Sequence, residues 1–153
     1  MPLEIERKFL VIGSPWTNWG AGKLLRQGYL SRSKSAVTRI RIDSEVGYFT
    51  IKGKTVGISR VEYEYEIPLE DAQSLLLLCE GHIIEKKRWK VPHGKHVWDF
   101  DVFEGVNQGL VIAEIELSDP DELFDKPSWL GEEVSHDPRF FNASLAQKPW
   151  SEW

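Results

Sequence analysis

The first eight residues place two carboxylates and one ammonium group at alternate positions. Glu4, Glu6 and Lys8 follow one another at intervals of two residues. In an extended strand successive side chains point to opposite faces, so these three would share a face. Neighbouring carboxylates repel unless a cation lies between them, and the lysine could bind a phosphate carried by that cation. The pattern is consistent with half of a metal and phosphate site, but it also describes an ordinary strand with one face in water.

Charged residues recur at the same parity in later segments, which gives eight acidic and six basic groups on one face. Besides the first three, they are Arg39, Arg41, Lys52, Glu62, Glu64, Lys86, Arg88, Asp99, Asp101, Glu114 and Glu116. The two signs are segregated by strand, although carboxylates about 6 Å apart repel by roughly 3 kcal/mol at an effective dielectric near 20. Carboxylate oxygens suit Mg²⁺ or Mn²⁺, and guanidinium and ammonium groups suit phosphate. The face therefore indicates a ligand that combines a metal with a polyphosphate.

Alternation of apolar and polar residues predicts eight strands that could position these groups. They cover 3–12, 24–32, 37–43, 47–53, 60–67, 82–91, 95–103 and 110–117. Most connections are short, so neighbouring strands are expected to be antiparallel. A helix is predicted between Pro68 and Gly81, and shorter helices after Pro120 and near Asp137. The opposite, apolar face must be covered, but the period alone fits an open sheet as well as a closed barrel.

Composition limits the classes of protein that the chain can represent. Its 153 residues fit a single domain, 1–153, and no apolar run approaches the roughly 20 residues of a membrane helix. The net charge of −5 argues against a general affinity for nucleic acid. The single Cys79 cannot form an internal disulfide, and no secretory signal is visible. We expect a cytoplasmic protein without membrane or general nucleic-acid partners.

The segment Glu4-Ile5-Glu6-Arg7-Lys8 resembles the Glu-x-Glu-x-Lys signature of the triphosphate tunnel metalloenzymes, the CYTH superfamily. Further motifs of this family follow in its order along nearly the whole chain. They are Arg26-Gln27-Gly28-Tyr29-Leu30, Arg39 with Arg41, Lys52 in Thr-Ile-Lys-Gly, Glu62-Tyr63-Glu64, Glu85-Lys86-Lys87-Arg88, Asp101-Val102-Phe103, Ala113-Glu114-Ile115-Glu116 and Gly131-Glu132-Glu133-Val134. The compact chain looks most like the short bacterial inorganic triphosphatases.

The resemblance implies an α+β fold, an eight-stranded antiparallel β-barrel tunnel with helices packed on the outside. It implies a principal Mg²⁺ or Mn²⁺ held by Glu4, Glu6 and Glu116, with Glu114 and Asp101 beside it. Phosphate binding falls to Lys8, Arg26, Tyr29, Arg39, Arg41, Lys52, Lys86 and Arg88. Catalytic roles fall to Lys8, Arg39 and Lys86, and to Glu62 and Glu64, which could hold a second metal or orient water.

Several reactions are compatible with such a tunnel. Hydrolysis of inorganic tripolyphosphate to pyrophosphate and phosphate is favoured, because no additional segment suits a nucleobase. A nucleoside or other organic triphosphate is the alternative ligand. Class IV adenylate cyclase activity and non-catalytic polyphosphate binding are the competing functions, and the assembly state, including a homodimer, is left open.

Overall fold

The computed structural model describes all 153 residues as nine strands, two α-helices and four short 3-10 turns. The strands are β1 Leu3–Val11, β2 Lys23–Arg32, β3 Ala36–Asp43, β4 Val46–Gly53, β5 Ser59–Ile67, β6 Glu80–His93, β7 His96–Phe103, β8 Val111–Glu116 and β9 Leu130–Glu133. The helices are α1 Leu69–Leu76 and α2 Asn142–Gln147. All eight predicted strands are confirmed, and β9 is the strand that the sequence reading missed.

The sheet closes on itself. Its strand order is β5-β4-β3-β2-β6-β7-β8-β1, and β1 also pairs with β5, where Glu4 lies opposite Arg60. Every neighbouring pair is antiparallel. The expected eight-stranded antiparallel barrel is thus confirmed, and β9 is added beside the end of β1. Closure gives β1 two partners at once, β5 near its start and β8 further along.

Inward-facing side chains change character along the barrel. Toward one end they are apolar, and Ile84, Phe103 and Ile112 form a cluster with Leu145 of α2. Each of these four is at most 2% exposed. Toward the other end the inward positions are charged. The barrel is therefore filled at one end, where α2 lies, and open at the other.

The outer face is covered unevenly. Indole and phenyl rings from the loops, including Trp19 and Trp129, pack edge-on against Phe100 of β7, with ring centroids 4.8 and 5.1 Å apart. Helix α1 covers Ile40 and other residues of β3. Tyr65 on β5 stays 56% exposed. The expectation that the whole apolar face is covered is therefore wrong for the outer side of β5.

The helices are shorter than predicted. Helix α1 ends at Leu76, because Leu77 and Leu78 have no core to face and are 87% and 68% exposed. No helix forms after Pro120, where the chain makes turns. Near Asp137 a 3-10 turn leads into α2. No helix of the protein is long and apolar enough to cross a membrane.

Candidate active site

A cavity of about 370 Å³ lies inside the barrel, and only four of its 22 lining residues are hydrophobic. The basic residues in its wall are Lys8, Arg32, Arg39, Arg41, Lys52, Arg60, Lys86, Arg88 and Lys90. The acidic ones are Glu4, Glu6, Glu62, Glu64, Asp99, Glu114 and Glu116. The wall thus carries two more basic than acidic groups, although the whole chain is acidic. This local excess favours an anionic ligand.

Most of the residues that the sequence assigned to the site do converge on this cavity. Those that line it are Glu4, Glu6, Lys8, Tyr29, Arg39, Arg41, Lys52, Glu62, Glu64, Lys86, Arg88, Glu114 and Glu116. Inward and outward side chains alternate along each strand, so a regular parity brings residues from seven different strands to one interior. Arg26 and Asp101 do not line the cavity.

Arg26 lies on the outside of the barrel, so its assignment to substrate binding is wrong. Its Nε is 3.9 Å from the Glu85 carboxylate, and its side chain is 45% exposed. Arg26 and Tyr29 are three positions apart. The register of β2 with β3 shifts only after Tyr29, and its register with β6 shifts between Gln27 and Tyr29, so Arg26 precedes both shifts. A regular strand cannot turn both side chains inward. The buried Gln27, which donates a hydrogen bond to the Tyr29 hydroxyl, occupies the inward position instead.

Asp101 is fully buried and both of its oxygens are occupied. Arg88 donates to Oδ1 from Nε at 2.7 Å and to Oδ2 from Nη2 at 2.8 Å. The Nζ of Lys86 lies 2.8 Å from Oδ2. Burial raises the pKa of Asp101, but the charges of Arg88 and Lys86 outweigh it and lower that pKa. Asp101 therefore holds these two cations in place, and neither of its oxygens is free for the metal that the sequence assigned to it.

The acidic pole is built where β1 meets β8, with Glu6 directly opposite Glu116. Burial, together with the charge of Glu114, raises the pKa of Glu6 to about 6. Burial and the charges of Glu4 and Glu6 also raise the pKa of Glu116. Raised carboxylate pKa values mean that negative charge is undercompensated here. Such a set of oxygen donors fits a hard divalent cation.

Ammonium groups occupy part of this pole in the present state. The Nζ of Lys52 lies 3.0 Å from Glu4, and the Nζ of Lys8 lies 3.0 Å from Glu114 and 3.6 Å from Glu6. No three carboxylate or imidazole groups converge as a ready-made metal cluster. A cation can therefore gather these carboxylates only when the ammonium groups move to another anion.

The basic pole lies across the cavity, on β3 and β4. The Nη2 atoms of Arg39 and Arg41 lie 3.2 and 3.4 Å from Oε2 of Glu64, which also accepts a hydrogen bond from Thr50. The buried Nε atoms of both arginines have no hydrogen-bond partner. Burial and the neighbouring Arg39 charge lower the pKa of Lys52. Unpartnered donors and surplus positive charge are what phosphate oxygens would satisfy.

Comparison with known proteins agrees with this geometry. The model of the CYTH domain matches residues 2–148. The chain belongs to the CYTH domain family.

Two relatives of this CYTH domain are named inorganic triphosphatase. One, from Acetivibrio thermocellus, is 47% identical over 151 residues, which cover 98% of this chain and 97% of that protein. The other, from Nitrosomonas europaea, is 38% identical over 148 residues and covers 94% and 96%. A solved structure of an inorganic triphosphatase superposes with a TM-score of 0.65 at 35% identity, covering 93% of this chain and 96% of that one. A putative adenylate cyclase from Bacillus halodurans shares the fold at 16% identity, with a TM-score of 0.54 and coverage of 79% and 84%.

The CYTH domain also contains cavity residues that the sequence reading missed. Arg60 lies with its Nε 3.5 Å from Glu4. Its parity with Glu62 could have revealed it, since the two are separated by two residues on β5. Asn142 accepts a hydrogen bond at its Oδ1 from Lys86 at 3.0 Å. It follows Lys86 by 56 residues and belongs to no strand, so strand parity gave no sign of it. Its place depends on how the end of the chain folds back over the barrel.

Proposed function

We propose that this CYTH domain hydrolyses inorganic tripolyphosphate to pyrophosphate and orthophosphate, in a reaction that depends on Mg²⁺ or Mn²⁺. The observation that carries the proposal is the cavity, which sets a carboxylate pole against a basic pole inside one barrel. A polyphosphate with a divalent cation matches both poles, whereas either ligand alone leaves one of them unpaired. The two relatives named inorganic triphosphatase support this substrate.

Glu4, Glu6 and Glu116 would hold the metal, with Glu114 beside them. Burial raises the pKa values of Glu4, Glu6 and Glu116, and neighbouring carboxylates add to this, so a cation would stabilise their charged forms. When bound, the metal supplies neutralisation of phosphate charge and polarisation of phosphoryl oxygens. The other steps depend on side chains of the chain itself.

The cations of the basic pole, together with two cations of β6, bind and orient the substrate. Arg39, Arg41 and Lys52 present their nitrogen atoms to the cavity from β3 and β4, and Lys86 and Arg88 do so from β6. Asp101 keeps the last two in position. Their charges stabilise the negative charge that builds up on the leaving pyrophosphate as the bridging P–O bond breaks.

Glu62 is the better placed of the two carboxylates on β5 to orient the attacking water. Glu64 already accepts bonds from Arg39, Arg41 and Thr50. Burial raises the pKa of Glu64, but the Arg41 charge and the Thr50 hydrogen bond outweigh burial and lower it. Glu64 is therefore a weak base. Glu62 faces the cavity without such a set of donors. Its carboxylate accepts a hydrogen bond from water, whose oxygen attacks the terminal phosphorus.

The lining of the cavity disfavours a nucleotide substrate. Its four hydrophobic residues, Tyr29, Val37, Phe141 and Ala143, belong to the filled end or the adjacent C-terminal segment. None of the cavity-lining residues at the open end, such as Lys90, Asp99 and Glu116, is aromatic. The Tyr48 ring, beside Arg41 on β4, is not part of the lining. The putative cyclase shares the fold alone at its 16% identity.

The test is a comparison of substrates and products. The purified protein is incubated with tripolyphosphate, ATP or thiamine triphosphate, in the presence of Mg²⁺, Mn²⁺ or a chelator. We expect orthophosphate and pyrophosphate from tripolyphosphate, and only when metal is present. Cyclic AMP from ATP would establish the cyclase instead, and binding of tripolyphosphate without turnover would establish a polyphosphate-binding module.

A further inference from the structure

Two aromatic rings border the charged cavity near its filled end, those of Tyr29 and Phe141. Phe141 immediately precedes α2, and its ring lies beside two cations. The Nζ of Lys8 lies 5.7 Å from the ring centroid, and the Cζ of Arg60 lies 5.9 Å from it. An aromatic face attracts these cations but offers no favourable contact to a phosphate oxygen. An anionic chain that binds these two cations thus has the apolar ring of Phe141 directly beside its end.

Contacts on both sides hold the segment that carries this ring. Asn142 accepts a hydrogen bond from Lys86 at 3.0 Å. Arg32 donates to the carbonyl of Ala143 at 3.3 Å. Leu145 is completely buried in the apolar cluster that fills this end of the barrel. The ring is thereby fixed to β2, to β6 and to the core, and it can resist the advance of a ligand.

We propose that Phe141, flanked by Lys8 and Arg60, is an end stop that fixes the register of a bound polyphosphate. This inference rests on the proposed triphosphatase function. Oxygens of the terminal phosphate bind the two cations, and the ring prevents the chain from moving further. The first anhydride bond from that end then always lies at the same depth relative to the acidic pole. Phe141 acts on specificity and takes no part in bond breaking.

Tetrapolyphosphate distinguishes a fixed register from a sliding one. Hydrolysis of a terminal anhydride consumes one water and gives tripolyphosphate and orthophosphate, whereas hydrolysis of the central anhydride gives two pyrophosphates. We expect the unmodified protein to release only the first pair as initial products. In Phe141→Ala the chain can advance by one phosphate, so the initial products shift toward pyrophosphate. Separation of the products by ion chromatography at early times measures this shift.

Phe140→Ala is the matched control. The Phe140 ring packs against Trp153, with centroids 5.0 Å apart, and does not border the cavity. Its loss disturbs the same segment, yet we expect it to leave the product distribution unchanged. If a thermal melt shows that Phe141→Ala does not fold, the same product analysis on Phe141→Leu decides the question.

Identical product distributions for the unmodified protein and the Phe141 variant, including no cleavage by either, would overturn the end stop. Central cleavage by the unmodified protein would overturn it as well. The proposed function is judged separately, because it requires only that the unmodified protein hydrolyse tripolyphosphate. A protein that does so, but whose products are insensitive to Phe141, keeps its function and loses the end stop.

Discussion

Individual charged residues of this protein fall into two groups. Asp101 forms a buried, fully satisfied set with Arg88 and Lys86, and leaving any of these charges unpaired would be costly. Glu6 is buried and crowded by other carboxylates, and its pKa is raised first by burial and then by the charge of Glu114. The Asp101 set keeps side chains in position, whereas the crowded charge of Glu6 lowers the stability of the folded protein. Such a sacrifice of stability is expected where a ligand supplies the missing charge.

Glu6→Gln separates these effects, because it removes the charge and keeps the shape. We expect turnover of tripolyphosphate to fall by roughly two orders of magnitude or more, since several kcal/mol of charge stabilisation through the metal would be lost. Without metal, the variant should melt at a higher temperature than the unmodified protein at pH 7. Glu70→Gln on the exposed side of α1 is the control and should change neither quantity. Unchanged phosphate release from Glu6→Gln would contradict the assignment.

Lys86 should make stability depend on alkaline pH. Burial, partly opposed by Asp101, lowers the pKa of Lys86 from 10.5 to about 8. Between these values the unfolded chain binds more protons than the folded one, so this group adds stability as the pH rises. The contribution is complete above pH 10.5, vanishes below about pH 8 and reaches at most about 3 kcal/mol.

Chemical denaturation of the unmodified protein and of Lys86→Met measures this contribution. The measurements are made at about pH 7.5, 8.5 and 9.5, which cover the lower part of the range between the two pKa values. We expect the free energy of unfolding of the unmodified protein, relative to that of the variant, to increase as the pH rises. A constant difference would show that Lys86 has an ordinary pKa.

At the level of strands, parity predicted most of the candidate site. Two-residue spacing from Glu4 to Glu116 identified most of the cavity lining, because the interior of a barrel collects every second residue. Arg26 was assigned to the site by the family resemblance and not by parity, and its strand turns Gln27 inward instead. Parity could not place Asn142, since a helix that folds back across a barrel has no counterpart in strand spacing. Closure itself followed from the resemblance and not from periodicity, which an open sheet satisfies equally.

The start of β6 depends on a close approach to α2. Gly81 has φ +73°, and a Cβ at this position would lie 2.5 Å from the carbonyl oxygen of Ala146. We expect Gly81→Ala to destabilise the protein by about 2 to 4 kcal/mol, from backbone strain and from separation of β6 and α2. Gly57→Ala is the control, because it has φ +64° but no atom within 4 Å. It should cost about 1 kcal/mol, as strain alone does. Equal losses in urea denaturation would show that the contact with α2 is unimportant.

In the whole molecule, the two poles of the cavity compensate each other when no ligand is bound. Lys52 pairs with Glu4, and Arg39 pairs with Glu64. A metal that takes the carboxylates frees the cations for phosphate, and phosphate that takes the cations frees the carboxylates for metal. The two ligands should therefore favour each other's binding to an equal degree.

Thermal melting can measure this coupling with pyrophosphate as the anion. We expect Mg²⁺ alone and pyrophosphate alone to raise the melting temperature little, and the two together to raise it by more than the sum. In Lys52→Met the acidic pole has lost an internal partner, so Mg²⁺ alone should stabilise this variant more than it stabilises the unmodified protein. Strictly additive shifts would contradict the coupling.

The filled end of the barrel also constrains what happens after the bond has broken. Because Phe103, Ile112 and Leu145 occupy that end, we expect substrate and products to share one opening. The fragment nearer the opening must depart first, and the deeper fragment stays trapped behind it. If the terminal phosphate is the deeper fragment, orthophosphate leaves last and competes directly with the next tripolyphosphate. The barrel would then work as a pocket closed at one end, from which the two products leave in a fixed order.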